Sequence, residues 1–374
     1  MVRLVLSVGL LLCSAAFAAA PPPPSVAGKA WIVADLTSGQ VLTSRKADER
    51  FEPASLTKLM TAYVVFTALR DKKLTLTQAV PVSPRAWRAA GSRMFIEPRK
   101  PVTVDELIRG MVVQSGNDAC IALAEAIAGT EEAFVQLMNR DAERLGMKGS
   151  RFMNASGLPD AQHYSTARDL SVLTTALIRD FPNEYAQYYS QKEYRYNNIT
   201  QPTGNRLLWL DPTVDGVKTG HTEAAGYCLV ASSRRSGRRL LSVLLGATSE
   251  AGRAQESQKL LNWGFQFFEA VRLFGSGDAL RSLDVWKGSQ GAVKVGVKAD
   301  VYVTVPKGES DKLKAELVSQ QPLVAPLARG QQVGMLRVTL DGKPFAEYPL
   351  VALEAVGPAG LLGRAWDTLR LWIK

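Results

Sequence analysis

The hydrophobic pattern divides this chain into a helical block set between strands, followed by a second run of strands. KAWIVADLTSGQVLTSR alternates around a Thr-Ser-Gly turn and predicts a β-hairpin. FEPASLTKLMTAYVVFTAL shifts to helical spacing and predicts a helix from Ser55 to about Arg70. The stretch that follows, to about Leu145, reads as mainly helical. Thr103-x-x-Glu106 is a capping box that opens one helix. Asn117 opens a second, with Ala119, Cys120, Leu123 and Ala124 on its apolar side. Thr130 opens a third, which stops before Gly146. STARDLSVLTTALIRDF predicts another, with Leu170, Leu173, Leu177 and Ile178 on one face. After Asn198 the period becomes that of strands. VDGVKTG is one; YCLVASSRR and RLLSVLLGA form a hairpin. Its tip carries Arg234, Arg235, Arg238 and Arg239, expected as a solvated turn. ESQKLLNWGFQFFEAV predicts a closing helix. Residues 26–273 therefore read as an α+β domain, an antiparallel sheet covered by helices.

From about Phe274 the strands are short and alternating, with glycine turns and Asp341-Gly342, so 274–356 predicts a small β-sandwich. GPAGLLGRAWDTLRLWIK, 357–374, predicts an amphipathic helix. Leu361, Leu362, Ala365, Trp366, Leu369, Trp372 and Ile373 share one face; Arg364, Asp367, Thr368 and Lys374 share the other, with Arg370 at its margin and Leu371 the one apolar residue there. Too short to span a bilayer, it is expected to lie at an anionic membrane surface. At the other end, Arg3, the apolar run Leu4–Leu12 and small residues near Ala18 predict a secretory signal over 1–18. The expected location is the periplasmic face of the inner membrane.

Candidate chemistry centres on Ser55 and Lys58. Three residues apart at a helix start, they lie on one face, which places an amine beside a hydroxyl. A serine becomes a nucleophile when a neighbouring base takes its proton, and an amine of lowered pKa is such a base. Ser115-Gly116-Asn117 lies at a loop-to-helix junction and Lys218-Thr219-Gly220 at the end of a strand. Lys218 near Lys58 is expected to depress its pKa by repulsion. Gly220 lets a substrate strand approach the sheet edge. S-x-x-K, S-x-N and K-T-G, in this order, form the set known from serine acyltransferases that react with penicillin.

Composition narrows the alternatives. The chain has 374 residues, enough for two or three domains, and a net charge of +10, which suits an anionic partner. With 3 Cys and 2 His it has no zinc-type spacing, and a histidine-based triad would have only His163 or His221 to draw on. No metal or other cofactor is implied, and no nucleic acid. Export permits a disulfide between Cys120 and Cys228, but two separate buried thiols fit equally well.

PASLTKLMT, SGNDAC, FMNASGLPD, YSTARDL, VDGVKTGHT and ESQKLLNWGF together resemble the D-alanyl-D-alanine carboxypeptidases of the low-molecular-mass penicillin-binding proteins, the type with an added β-domain and a C-terminal membrane anchor. The resemblance implies a β-lactamase/transpeptidase-like fold. It implies release of the terminal D-alanine from peptidoglycan stem peptides, with β-lactam antibiotics as covalent inhibitors. It makes Ser55 the acylated nucleophile and Lys58 the general base. Ser115 would pass the proton onward and Asn117 orient Lys58 and the substrate amide. Lys218, Thr219 and Arg253 would meet the terminal carboxylate, and the backbone N–H groups of Ser55 and His221 would form the oxyanion hole. The His221 side chain is expected at the rim, and His163 outside the chemistry. Ser156 departs from the usual residue of its block. The alternatives are a D,D-endopeptidase and a β-lactamase; against the second, no convincing glutamate-bearing loop lies between Asn154 and Lys218. A β-lactam sensor would need a transmembrane segment, and none is expected once the signal is removed.

Overall fold

The computed structural model describes residues 21–373. The expected signal segment, with Cys13, lies outside the described residues, as do Lys374 and the side chains expected of Leu371, Trp372 and Ile373. The chain divides into two compact units, one running from Pro23 to Gln266 with 302–304, the other from Phe267 onward.

The first unit is built on a five-stranded antiparallel sheet. In spatial order its strands are Gln40–Arg45, Ala30–Asp35, Arg238–Ala247, Gly226–Arg235 and Val214–Thr222. The central strands alternate between two apolar layers. Ile32, Leu241, Val243 and Leu245 face a core shared with the helices Lys58–Arg70 and Ala167–Asp180. Val33 and Leu244 face Leu260 of the helix Glu250–Phe267. Covered on both faces, Arg238–Ala247 is an almost unbroken apolar run. The helix Lys58–Arg70 is apolar on every side because it is buried on every side: Leu59 through Phe66 have no exposed member. Burial of each large apolar side chain there contributes about 1.5–3 kcal/mol, which fixes the helix carrying Lys58.

Local signals set the helix ends as expected. Thr103 and Glu106 form a complete capping box. The hydroxyl of Thr130 accepts from Ala133 N at the start of Glu131–Leu145, and that of Thr166 from Asp169 N. Other expectations fail. Between Arg70 and Val104 the chain is largely irregular, with one short helix, Pro84–Trp87, and a two-stranded ribbon of Ala79–Val80 with Val102–Thr103. The closing helix starts at Glu250 and ends at Phe267, and the expected helical end is instead a strand, Phe268–Phe274. The arginine tip is not a solvated turn. Arg238 Nε donates to the fully buried Asp35 at 2.6 Å, Arg235 to Asp211 at 2.9 Å and Arg239 to Asp215 at 2.8 Å; only Arg234 is exposed. The guanidinium groups of Arg235 and Arg238 also lie over the ring of Phe265.

The C-terminal unit holds a six-stranded sheet in the order Leu313–Ser319, Gln332–Leu340, Lys343–Ala352, Ala292–Gly296, Arg281–Trp286, Leu323–Val324. Its last pair is parallel and the others are antiparallel. Val293, Val295, Leu350 and Leu327 form one apolar cluster, and Leu273 and Phe274 pack with Leu336 in another. A helix, Leu361–Ile373, ends the described chain. No described helix is long and apolar enough to cross a membrane.

Candidate active site

Ser55 lies in a 3₁₀ turn, Ala54–Thr57, that runs directly into the buried helix starting at Lys58. The edge strand Val214–Thr222 passes beside this turn. A Cβ on Gly220 would stand 3.2 Å from Ser55 N and 3.1 Å from Pro53 O, so the missing side chain first of all lets the nucleophile turn approach the strand.

Lys58 is 1% exposed, and its Nζ has three neighbours: Ser55 Oγ at 2.9 Å, Asn117 Oδ1 at 2.7 Å and Ser156 O at 2.7 Å. A neutral amine has two hydrogens and one lone pair. Asn117 Oδ1 and the Ser156 carbonyl can only accept, so they take the hydrogens. In the charged form the third hydrogen points at Ser55 Oγ; once the amine is neutral, that position becomes the lone pair facing the hydroxyl. Burial holds this amine below the ordinary lysine range; the Asp118 carboxylate pulls in the opposite direction. Cys120 is also placed to pull upward, but burial lifts its own thiol to about 12, so it is uncharged at neutral pH.

Lys218 Nζ donates to Ser115 Oγ at 3.0 Å and to Thr219 O at 3.0 Å. Burial first, and then the Lys58 charge, hold Lys218 well below the ordinary range. The expected repulsion between the two lysines is thus present and disfavours a second charge on the pair, while burial is the leading cause at each of them. Ser115 has left-handed backbone, φ 61°, at the junction into the helix Asn117–Ala128. Asn117 is fixed at both ends: its Nδ2 donates to Ala90 O at 2.7 Å while its Oδ1 serves Lys58. Next to it, Asp118 accepts from Met94 N at 2.9 Å and Phe95 N at 2.8 Å, holding the 90–96 segment beside Asn117.

Arg253 is buried behind the edge strand, its Nη2 donating to Gly204 O at 3.1 Å and its Nη1 to Gly220 O at 3.5 Å. A Cβ on Gly204 would meet both Thr219 Oγ1 and Arg253 Nη2, which places that hydroxyl and the guanidinium around one point of the chain. His221 is exposed, its ring 4.1 Å from that of Tyr227. Direct hydrogen bonds thus join Ser55, Lys58 and Asn117 in one set and Ser115 and Lys218 in another, with Thr219, Gly220, His221 and Arg253 on or behind the adjoining strand. Cys120 and Cys228 are both free and buried, which excludes the disulfide.

Three further contributors lie in the FMNASGLPD block, which the sequence marks without showing what each residue does. The Ser156 carbonyl acts through backbone, which any residue supplies. Asn154 shapes the loop around it, its Oδ1 accepting from Gly157 N at 2.7 Å and Leu158 N at 3.1 Å. Ala155 O accepts from Thr61 Oγ1 at 2.6 Å, one helical turn beyond Lys58. An Asn with a Gly three residues later suits a turn of this kind, though not what the turn holds.

Comparison with known proteins agrees with this geometry. Residues 16–249 match the peptidase S11 family, described as D-alanyl-D-alanine carboxypeptidase, and residues 268–358 match the penicillin-binding protein 5 C-terminal domain. The chain is 45% identical to the D-alanyl-D-alanine carboxypeptidase DacC of Escherichia coli K12 over 352 residues, 92% of this chain and 88% of that one. It is 42% identical to DacA of the same strain over 356 residues, 93% and 88% of the two chains. Among solved structures, penicillin-binding protein 5 from Haemophilus influenzae superposes with a TM-score of 0.87 at 41% identity, covering 90% of this chain and 99% of that one. A crystal structure of penicillin-binding protein D2 from Listeria monocytogenes in its ampicillin-bound form superposes at 0.60 with 30% identity, covering 66% of this chain and 100% of that one. With its active-site sheet and helices in the first unit and the matching β domain in the second, the chain belongs to the S11 family of D-alanyl-D-alanine carboxypeptidases.

Proposed function

We propose that this carboxypeptidase works as a serine acyltransferase in which Ser55 is acylated and Lys58 is its base. The observation that carries the reading is the hydrogen-bond set of Lys58: two acceptors fix its hydrogens and leave the lone pair to Ser55. The Ser55 proton passes to Lys58 Nζ as Oγ adds to the carbonyl carbon of the penultimate D-alanine. The oxyanion is held by the backbone N–H groups of Ser55 and His221. The C–N bond then breaks, and the proton reaches the leaving D-alanine amine through Ser115, which Lys218 holds at 3.0 Å. Water next adds to the ester, Lys58 takes its proton, and Ser55 Oγ leaves with a proton restored. Lys218, Thr219 and Arg253 supply the positive and hydroxyl groups that receive the terminal carboxylate. A β-lactam enters the first half of this sequence through its ring amide and remains as the acyl group.

The test uses Ser55→Ala. The folded variant is expected to release no D-alanine from a peptide ending in D-Ala-D-Ala and to take no label from a fluorescent penicillin. Covalent label retained on it would overturn the assignment. The wild-type protein, given a cross-linked peptide dimer in parallel, separates endopeptidase from carboxypeptidase by whether monomer forms.

The same reading places the enzyme outside the cytoplasmic membrane, exported through residues 1–18 and attached at an anionic surface by its last helix. Support for attachment comes from the helix faces. Leu361, Leu362, Trp366 and Leu369 are 86%, 89%, 61% and 60% exposed. A polar contact with the β unit is made from the other face, Lys287 N donating to Asp367 Oδ2 at 2.6 Å. The four apolar side chains stay largely uncovered, as an interfacial helix requires.

A further inference from the structure

The loop from Phe152 to His163 closes on itself. Arg151 N donates to Tyr164 O at 2.8 Å and Tyr164 N to Arg151 O at 3.0 Å, so its two ends leave the fold side by side. From there it grips the nucleophile segment at successive points: Thr57, Lys58 and Thr61. One end of the grip is the section shaped by Asn154, which presents Ser156 O to Lys58 and Ala155 O to Thr61. Gly157 sits so close there that a Cβ would stand 1.8 Å from Ala54 O. The other end is His163. Between them Pro159 to Gln162 are exposed, so nothing from the protein presses on the middle of the loop.

His163 is 2% exposed and packs edge-on against Phe152. Its Nε2 lies 2.9 Å from Thr57 Oγ1, and its Nδ1 has no partner among the described residues. A buried imidazole with an unpaired nitrogen is costly to keep, so its one hydrogen bond calls for explanation. Thr57 has helical backbone, φ −48° and ψ −35°, within a 3₁₀ turn that runs into the helix Lys58–Arg70, so its hydroxyl has no cap to make. The hydroxyl is committed to His163 instead.

We infer that His163 is a positioning residue for Lys58: with Thr57 it pins the second end of the 152–163 loop to the nucleophile turn, so that the Ser156 carbonyl is held against the amine. Freed at that end, the loop can lift, and the carbonyl with it. The amine then gains water, which stabilises its charged form. The other groups facing Lys58 are Asn117, Asp118 and Cys120 from the helix Asn117–Ala128, with Lys218 on the edge strand. None of them moves with the loop. Burial pushes His163 itself down to about 4, so it is neutral where the enzyme works and its role is geometric.

The inference rests on Lys58 being the base, and the experiment keeps the two apart. The rate of acylation by a fluorescent penicillin is followed against pH, together with the melting temperature. Lys58→Arg tests the underlying reading: it keeps the charge but gives up no proton near neutral pH, so acylation near the wild-type rate would overturn that reading whatever His163 does. With Lys58→Arg inactive, His163→Ala is expected to move the acid limb of the profile up by about one unit, which slows acylation at neutral pH about tenfold. Thr57→Val moves the limb in the same direction. The double variant loses no more than the worse single one, because both remove one contact. His163→Gln, whose amide reaches the Nε2 position, returns the limb to within about threefold of wild type in rate. A limb that stays in place in His163→Ala and Thr57→Val while the melting temperature falls would overturn the inference, leaving His163 a packing residue. Losses that multiply in the double variant would also overturn it. Should His163→Ala fail to fold, Thr57→Val against His163→Gln decides.

Discussion

Every fully buried polar or charged side chain among the described residues lies in the first unit, and none in the C-terminal one. The first unit buries Lys58, Asn117, Asp118, His163, Asp169, Lys218 and Arg253. The second buries Val293, Val295, Leu336 and Leu350 and keeps its charges outside. Taking a lysine out of water costs several kcal/mol unless partners satisfy it or it gives up its proton. The first unit bears that cost twice, at Lys58 and Lys218, and offsets it with apolar cores on both faces of its sheet. The difference teaches where the chemistry comes from: a buried amine is a base because its charged form is disfavoured there. The β unit has no such site and its core resembles that of an ordinary small β domain.

This contrast can be broken from either side. The largest effect is expected from the apolar core of the C-terminal unit. Leu350→Ala removes a fully buried side chain and should lower that unit's stability by about 2–5 kcal/mol. Acylation of the folded protein should stay within about twofold of wild type, since that core and the site belong to different units. Calorimetry and penicillin labelling of one preparation check both; a parallel collapse of labelling would mean that the units are not separable.

Somewhat smaller is the effect of the buried histidine on stability. Its folded value of about 4 lies below the ordinary 6.5, so the unfolded chain binds the extra proton between these two pH values. The folded state is therefore unpenalised above pH 6.5 and loses stability as pH falls towards 4, by about 3 kcal/mol in all. Denaturant titrations of wild type and His163→Gln across that window should show a slope in the first that is shallower in the second. Equal slopes would place the titration elsewhere.

The smallest effect on catalysis belongs to the tail. A chain ending near Gly357 should fold, hydrolyse small peptides at the wild-type rate and lose binding to vesicles of anionic lipid. The shortened chain lacks the exposed Leu361, Leu362, Trp366 and Leu369 and the charges of Arg364 and Arg370, on which the proposed attachment rests. Binding by the full chain should weaken as salt rises. Aggregation or earlier melting of the shortened chain would instead make the helix part of the fold.

What the sequence revealed of this molecule was its local chemistry. Ser55 and Lys58 are neighbours in sequence, Thr103 and Glu106 complete one cap, and strand alternation marks Gly226–Ala247 as a hairpin. Where the deciding partner is distant, the pattern was silent or misleading. Arg238 is held by Asp35 and Lys58 by the carbonyl of Ser156, contacts that no periodicity carries. QFFEAVRLF is apolar enough to suit either period, and it becomes a strand because the C-terminal unit supplies neighbours for Leu273 and Phe274. His163 looked inert because Thr57, which its ring hydrogen-bonds, is remote in sequence. The repulsion between Lys58 and Lys218 was legible in the motifs, but burial, the leading cause at both lysines, is a property of the folded chain and not of spacing.

That shift is the claim on which the account stands, and the pH dependence of Ser55 acylation by a fluorescent penicillin in the wild-type protein tests it most directly. The rate should rise as Lys58 loses its proton and reach its plateau at a pH below 10.5, the ordinary value for lysine. A rate that keeps rising until that value, or one that ignores pH throughout the range in which the protein is folded, would contradict a buried, neutral lysine as the base.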